Sequence, residues 1–187
     1  MDNQAYQEAK NIFLKYKCSH FFLAREGDYE KYKAYNVPKR LENEWIDEQR
    51  AEKIKLLETE TNNDRISHLV FDIEMTIGQY CPNADPLYYL KNYITEKKTQ
   101  FDSFTLILIS ESILRAVEEY GKNTSYDKMK LDYIREYMLD LLNELLISPI
   151  TVSKDYDYMI HYDFSEENLR NRIKGKIEHW NKKKALL

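Results

Sequence analysis

The sequence predicts a mainly α protein, an irregular single-domain helical bundle of about seven or eight helices spanning residues 1–187, with one small β-hairpin expected near 150–164. Three observations carry that reading. Gly and Pro occur four times each, too rarely to cut a chain of 187 residues into the short strands of a sandwich. Apolar side chains recur at spacings of three and four through most of the length, the period of a helix with one buried face. The chain is also long enough to bury a core without disulfides or a structural metal.

The elements follow in order. Tyr6, Ala9, Phe13, Tyr16, His20 and Leu23 form one stripe, predicting a helix from about Gln4 to Leu23 that Gly27 ends. Asp28 is placed to cap a short helix carrying Tyr29, Tyr32 and Tyr35. Pro38 suits the first turn of a third helix reaching about Glu58, with a thin stripe of Leu41, Trp45, Ile46, Ile54 and Leu57. After a polar turn at 59–63, Ile66, Leu69, Val70, Ile73 and Ile77 give the cleanest amphipathic pattern, ending at Gly78. Cys81-Pro82-Asn83 reads as a turn, and Asp85-Pro86 as the start of a helix with Leu87, Leu90, Tyr93 and Ile94.

The stretch from Phe104 to Tyr120 is apolar on more than one face, which predicts the central helix, closed by Gly121. Beyond a polar loop at 122–127, Leu131, Ile134, Met138, Leu141, Leu142 and Leu145 define a second core helix that must stop before Pro149. Tyr156, Tyr158, Ile160, Tyr162 and Phe164 then alternate with Asp157, Met159, His161 and Asp163, the period of a half-buried strand. With Ile150-Thr151-Val152 this predicts a hairpin, or an extended arm, since a lone hairpin is marginal without helices to pack on. Ser165 caps a last helix to about Lys182.

Composition narrows the function. The longest apolar run, Leu106 to Ile109, is far too short to span a bilayer, so no membrane partner is expected. The first residues lack the basic start and apolar stretch of a signal peptide, and two cysteines, Cys18 and Cys81, make no disulfide framework. A cytoplasmic location is therefore expected. Abundant Lys, Ile, Asn and Tyr beside scarce Ala and Gly fit a bacterial chain of AT-rich coding. With Gly27, Gly78, Gly121 and Gly175 alone, no phosphate-cradling loop or dinucleotide fingerprint can be built. No cofactor is expected, and the common nucleotide-driven enzymes are excluded.

Charge is uneven. Residues 170–184 carry a local balance of +6, leaving −10 on residues 1–169. Basic side chains in the last turns of a terminal helix complement its macrodipole. They also give nucleic acid its one available contact, a basic C-terminal helix with Trp180.

Candidate chemistry rests on three pairs. His68 and Asp72 stand four apart, a spacing that lets a carboxylate orient a general base or help hold a metal. A metal-dependent hydrolase would need further converging ligands, and neither His-Glu-x-x-His nor Glu-x-x-His occurs. The plainer reading is a surface ion pair. Cys18 and His20, two apart on a helix, point to different faces and read as core or surface residues. Arg172 and His179 enclose six residues, a cation and a titratable imidazole of the kind that can stabilise and protonate a phosphate.

Over those eight positions the sequence resembles the Arg-x4–6-His motif of the HEPN ribonucleases, an all-helical class. The resemblance implies that Arg172 and His179 act on an RNA backbone in a composite site across a dimer. The sequence departs from the family's pattern at Ile173, where a polar residue usually follows the Arg.

Sixteen tyrosines stand out. Tyrosine buries a ring while leaving its hydroxyl wet, which suits helix seams and binding surfaces alike. The clusters Tyr29/Tyr32/Tyr35, Tyr88/Tyr89/Tyr93 and Tyr156/Tyr158/Tyr162 are too many to be all core in so polar a chain. The leading expectation is a non-enzymatic protein–protein interaction module, a bacterial regulator or an immunity-type protein. Tyr156, Tyr158, Tyr162 and Phe164 are its expected anchors toward a basic protein partner. A homodimer is compatible with both this reading and the ribonuclease one.

Overall fold

A computed structural model describes residues 3–82, 85–122 and 127–184 of the chain. The described residues form nine α-helices, two short 3-10 turns and no strand. They gather into two compact units, one from Met1–Thr59 and Asp72–Pro82, the other from Glu60–Phe71 and Asn83–Leu187.

The first unit contains α1 (Asn3–Lys15), α2 (His20–Arg25), α3 (Tyr29–Lys33), α4 (Lys39–Thr59) and the second half of α5 (Asn63–Gln79). The single helix expected over residues 4–23 is two. Lys17 and Cys18 both adopt left-handed backbone, φ 53° and 59°, which no helix continues. Ser19 then caps α2 by accepting from the Phe22 amide. Gly27, at φ 84°, ends α2 as its lack of a Cβ allows, and the Asp28 amide reaches back to the Leu23 carbonyl.

The core here is aromatic. Phe13 stacks on Tyr32 with centroids 5.4 Å apart, and Tyr6 meets Trp45 edge-on at 5.3 Å. The Trp45 indole N–H donates to the Tyr6 hydroxyl at 2.8 Å, so the large ring is buried without an orphaned donor. On α4 the buried positions Glu42, Trp45, Ile46 and Arg50 lie one turn apart on one face. Arg50 is satisfied by the Thr76 hydroxyl and carbonyl, the Tyr80 carbonyl and Asp47.

In the second unit α7 (Ser103–Gly121) packs against α6 (Asp85–Lys97), α8 (Lys128–Ile147) and α9 (Glu166–Lys184). It is buried at thirteen positions, which makes it the central helix that its sequence predicts. Asp102 caps it through the Thr105 amide and hydroxyl. Asp127 caps α8 by accepting from the Met129 and Lys130 amides, and Ser165 caps α9 through Asn168. Arg170 of α9 donates to the Leu146 and Ser148 carbonyls, satisfying the frayed end of α8. The expected turn residue Asn83 and loop residues 123–126 lie outside the described residues.

The hairpin is corrected. Residues 150–164 hold a 3-10 turn at Lys154–Tyr156 and irregular backbone instead. Their amides bond three residues back, Tyr156 to Ser153, Asp157 to Lys154, Met159 to Tyr156 and Tyr162 to Met159. Successive tight turns replace a ladder. A strand would send Tyr156, Tyr158, Ile160, Tyr162 and Phe164 to one face. Tyr156 is buried, while Tyr158 and Ile160 are exposed.

Candidate functional site

The stretch expected to bind a partner divides between inside and outside. Tyr156 is 1% exposed, its ring edge-on to Phe104 at 4.8 Å and its hydroxyl within 2.8 Å of the Thr105 hydroxyl. It also donates to the Asn63 carbonyl at 3.1 Å. Tyr162 and Phe164 are half-buried, with centroids 5.3 and 5.0 Å from Phe104. These three rings clamp the start of α7. Tyr156 therefore has no surface left to offer a partner, while Tyr162 and Phe164 keep part of theirs. Tyr158 alone of the four is open, 62% exposed, with its hydroxyl donating to Asp64 at 2.9 Å.

Arg172 and His179 share α9 but not a site. The Arg172 guanidinium grips Glu111 with Nε and Nη2 at 2.8 and 2.7 Å, and its Nη1 donates to the Tyr162 hydroxyl at 2.6 Å. The hydrogen bonds to Glu111 push the guanidinium pKa up, so the charge is fixed. All three of its nitrogens are engaged. His179 is exposed, beside the Trp180 ring.

The pair expected from His68 and Asp72 is corrected too. His68 is exposed and turns back to Asp64, Nε2 to Oδ1 at 3.4 Å, whereas Asp72 takes Lys17 and Lys53 at 2.7 and 3.4 Å. Asp72 is held by two lysines and His68 faces Asp64, so the four-residue spacing does not close. Among the described residues no group of three or more His, Cys, Asp or Glu side chains is placed to hold a metal ion.

Cys18 is 1% exposed, and burial pushes its thiol from 9.0 up to about 12. Cys81 is buried as well. Neither thiol should react with Ellman's reagent at pH 8 in the folded chain, while both react in denaturant. A thiol released within seconds under native conditions would contradict the packing. The sign of the pH effect follows. Above pH 9.0 the unfolded chain ionises a thiol that the fold keeps protonated until about 12, so stability falls as pH climbs through that window.

The sequence does not reveal Glu42. Only 4% exposed, it accepts from the Tyr32 hydroxyl at 2.8 Å and Lys39 Nζ at 3.2 Å, and His20 Nε2 lies 2.9 Å from its Oε1. His20 packs edge-on against Tyr29 and Tyr32. One carboxylate thus ties α2, α3 and the start of α4 together. The helical spacing of Glu42, Ile46 and Arg50 was the available signal, because positions four apart must share the face that Ile46 buries.

A second feature emerges between α6 and α8. Tyr88, Met129 and Tyr133, three exposed large apolar side chains, line one cleft of about 590 Å³ with Ile134, Asp85, Asp127 and Lys130. Met129 is 82% exposed. Behind Tyr133 lies Lys91, a buried lysine with no carboxylate partner among the described residues. Its Nζ sits 4.8 Å from the ring centroids of both Tyr133 and Tyr137 and 3.1 Å from the Tyr133 hydroxyl. Cation–π contact compensates the charge and holds the Tyr133 ring in place. Tyr88, by contrast, has neither hydrogen bond nor ring partner among the described residues.

Neither a protein-family model, nor a curated protein, nor a solved structure matches the chain.

Proposed function

We propose that this chain is a non-enzymatic protein–protein interaction module, of the bacterial regulator or immunity type, and that it meets its partner through the α6–α8 cleft. The observation that carries the reading is the convergence of Tyr88, Met129 and Tyr133, from two helices, on one solvent-open concavity. Scattered exposed apolar residues need no explanation, but rings and a thioether gathered in one cleft favour burial against another surface. Tyrosine and methionine are enriched at such contacts, and a flexible Met129 adapts to the shape it meets.

The acidic side chains Asp85 and Asp127 in the lining agree with a basic partner, the charge expected from the acidic body of the sequence. A cytoplasmic setting fits a chain whose described helices include none long and apolar enough to cross a membrane. The ribonuclease reading finds less support, because Arg172 is fully engaged by Glu111 and Tyr162.

A photo-crosslinking amino acid installed at position 129, compared with one at the exposed position 174 of α9, tests the reading in the native cell. We expect a discrete adduct from 129 only, diminished by Tyr88→Ala. Equal, diffuse labelling from both positions would remove the cleft as the contact surface.

A further inference from the structure

We infer that the α6–α8 cleft recognises an arginine side chain of its protein partner, the guanidinium lying against Tyr88 and paired with Asp127, with Asp85 adding negative charge beside it. This rests on the interaction-surface reading and names the group that surface is built to take.

Three features of the cleft point to a planar cation. Its lining has two carboxylates, Asp85 and Asp127, against one ammonium, Lys130. Both acids sit at helix starts, Asp85 in the first turn of α6 and Asp127 at the cap of α8. Asp127 Oδ1 accepts from the Met129 and Lys130 amides, and the other carboxylate oxygen carries no bond within the described chain. The second feature is Tyr88, an exposed ring without a cation of its own among the described residues. Its neighbour Tyr133 already carries Lys91 on the buried side, so Tyr88 is the ring left to accept one.

The third feature is the apolar wall of Met129 and Ile134, which suits the methylene stem of a long basic side chain. Arginine fits these together better than lysine. Its flat, weakly hydrated guanidinium stacks on a ring while its N–H fork meets carboxylates, whereas an ammonium must shed a tight hydration shell to do either.

The test titrates the full chain with Nα-acetyl-arginine amide, following tyrosine ring signals by NMR, with Tyr88→Phe to assign the Tyr88 resonance. Saturable movement of that resonance is expected. The lysine amide should bind about fivefold more weakly, and the citrulline amide, isosteric but neutral, about tenfold or more. The pair Asp85→Asn/Asp127→Asn should weaken arginine about tenfold while leaving the far-UV CD spectrum unchanged, since Asn caps a helix as well as Asp. Should that variant unfold, Tyr88→Ala serves in its place, with the same expected loss.

A Tyr88 signal unmoved by arginine, or moved equally by citrulline, overturns the proposal. So does a dimer by light scattering that Met129→Glu splits, because the occupant is then a second copy of this chain. The two readings fail separately. A discrete adduct from position 129 with no arginine response sinks the arginine assignment alone, and absence of the adduct sinks the surface itself.

Discussion

Tyr156→Ala is expected to lower stability by about 4 kcal/mol, in the range of a large ring removed from a core, while Tyr158→Ala, two residues away, changes it by less than about 0.5 kcal/mol. The contrast comes from placement. Tyr156 fills space against Phe104 and bridges Thr105 to the Asn63 carbonyl, whereas Tyr158 lies outside with a solvent-exposed bond to Asp64. Tyr156→Phe keeps the ring and loses the bridge, so about 1–2 kcal/mol is expected from the unsatisfied partners. Urea unfolding followed by CD measures all three. Similar midpoints for Tyr156→Ala and Tyr158→Ala would return residue 156 to the surface.

The same residue has a pH signature. Burial pushes the Tyr156 phenol from 10.0 up to about 12. The unfolded chain therefore loses that proton first, and stability declines as pH rises from 10.0 toward 12. Tyr156→Phe should flatten part of that decline.

Glu42→Leu is expected to cost about 3 kcal/mol, because it strands the buried Tyr32 hydroxyl and removes the carboxylate beside His20. The Lys39 ammonium adds little to this figure, being largely in solvent. Glu42→Gln keeps an acceptor for Tyr32 and should cost about half as much. Thermal melts of the two variants separate the roles of hydrogen bonding and charge. A Glu42→Leu chain as stable as the parent would show that α2 and α3 are held by ring packing alone.

Most of the helical framework was legible because each helix announces its own ends. Gly27, Ser165 and Pro149 act locally, through left-handed backbone, a side-chain cap or a missing amide, and need no knowledge of the rest of the chain. The break at Lys17 and Cys18 was legible in part. Ser19 is a good cap residue, but its signal lay inside an unbroken apolar stripe that ran through it. The stretch 156–164 misled for the opposite reason: alternation in sequence measures only period, and tight turns can mimic it while sending Tyr156 inward and Ile160 outward.

The site was less legible than the fold. Tyr88 belonged to a tyrosine cluster expected to be partly exposed, yet nothing local brings it beside Met129 and Tyr133. That convergence is made by the packing of α6 on α8, a long-range property. Glu42 and Arg50 were hidden by their charge, which reads as surface until helix geometry forces them under Ile46 and Trp45.

The lysine behind Tyr133 has a consequence for how fast and how tightly anything docks. A tyrosine that swings freely must be frozen on contact, at a cost of about 0.5–1.5 kcal/mol for each side chain immobilised. Tyr133 surrendered that freedom when the chain folded, tethered at its hydroxyl and pressed on one face by Lys91. In the docking proposed for this cleft, an arriving molecule would meet a rigid anvil on one side and a thioether on the other, and fit at the Tyr133 wall would act mainly on the residence time.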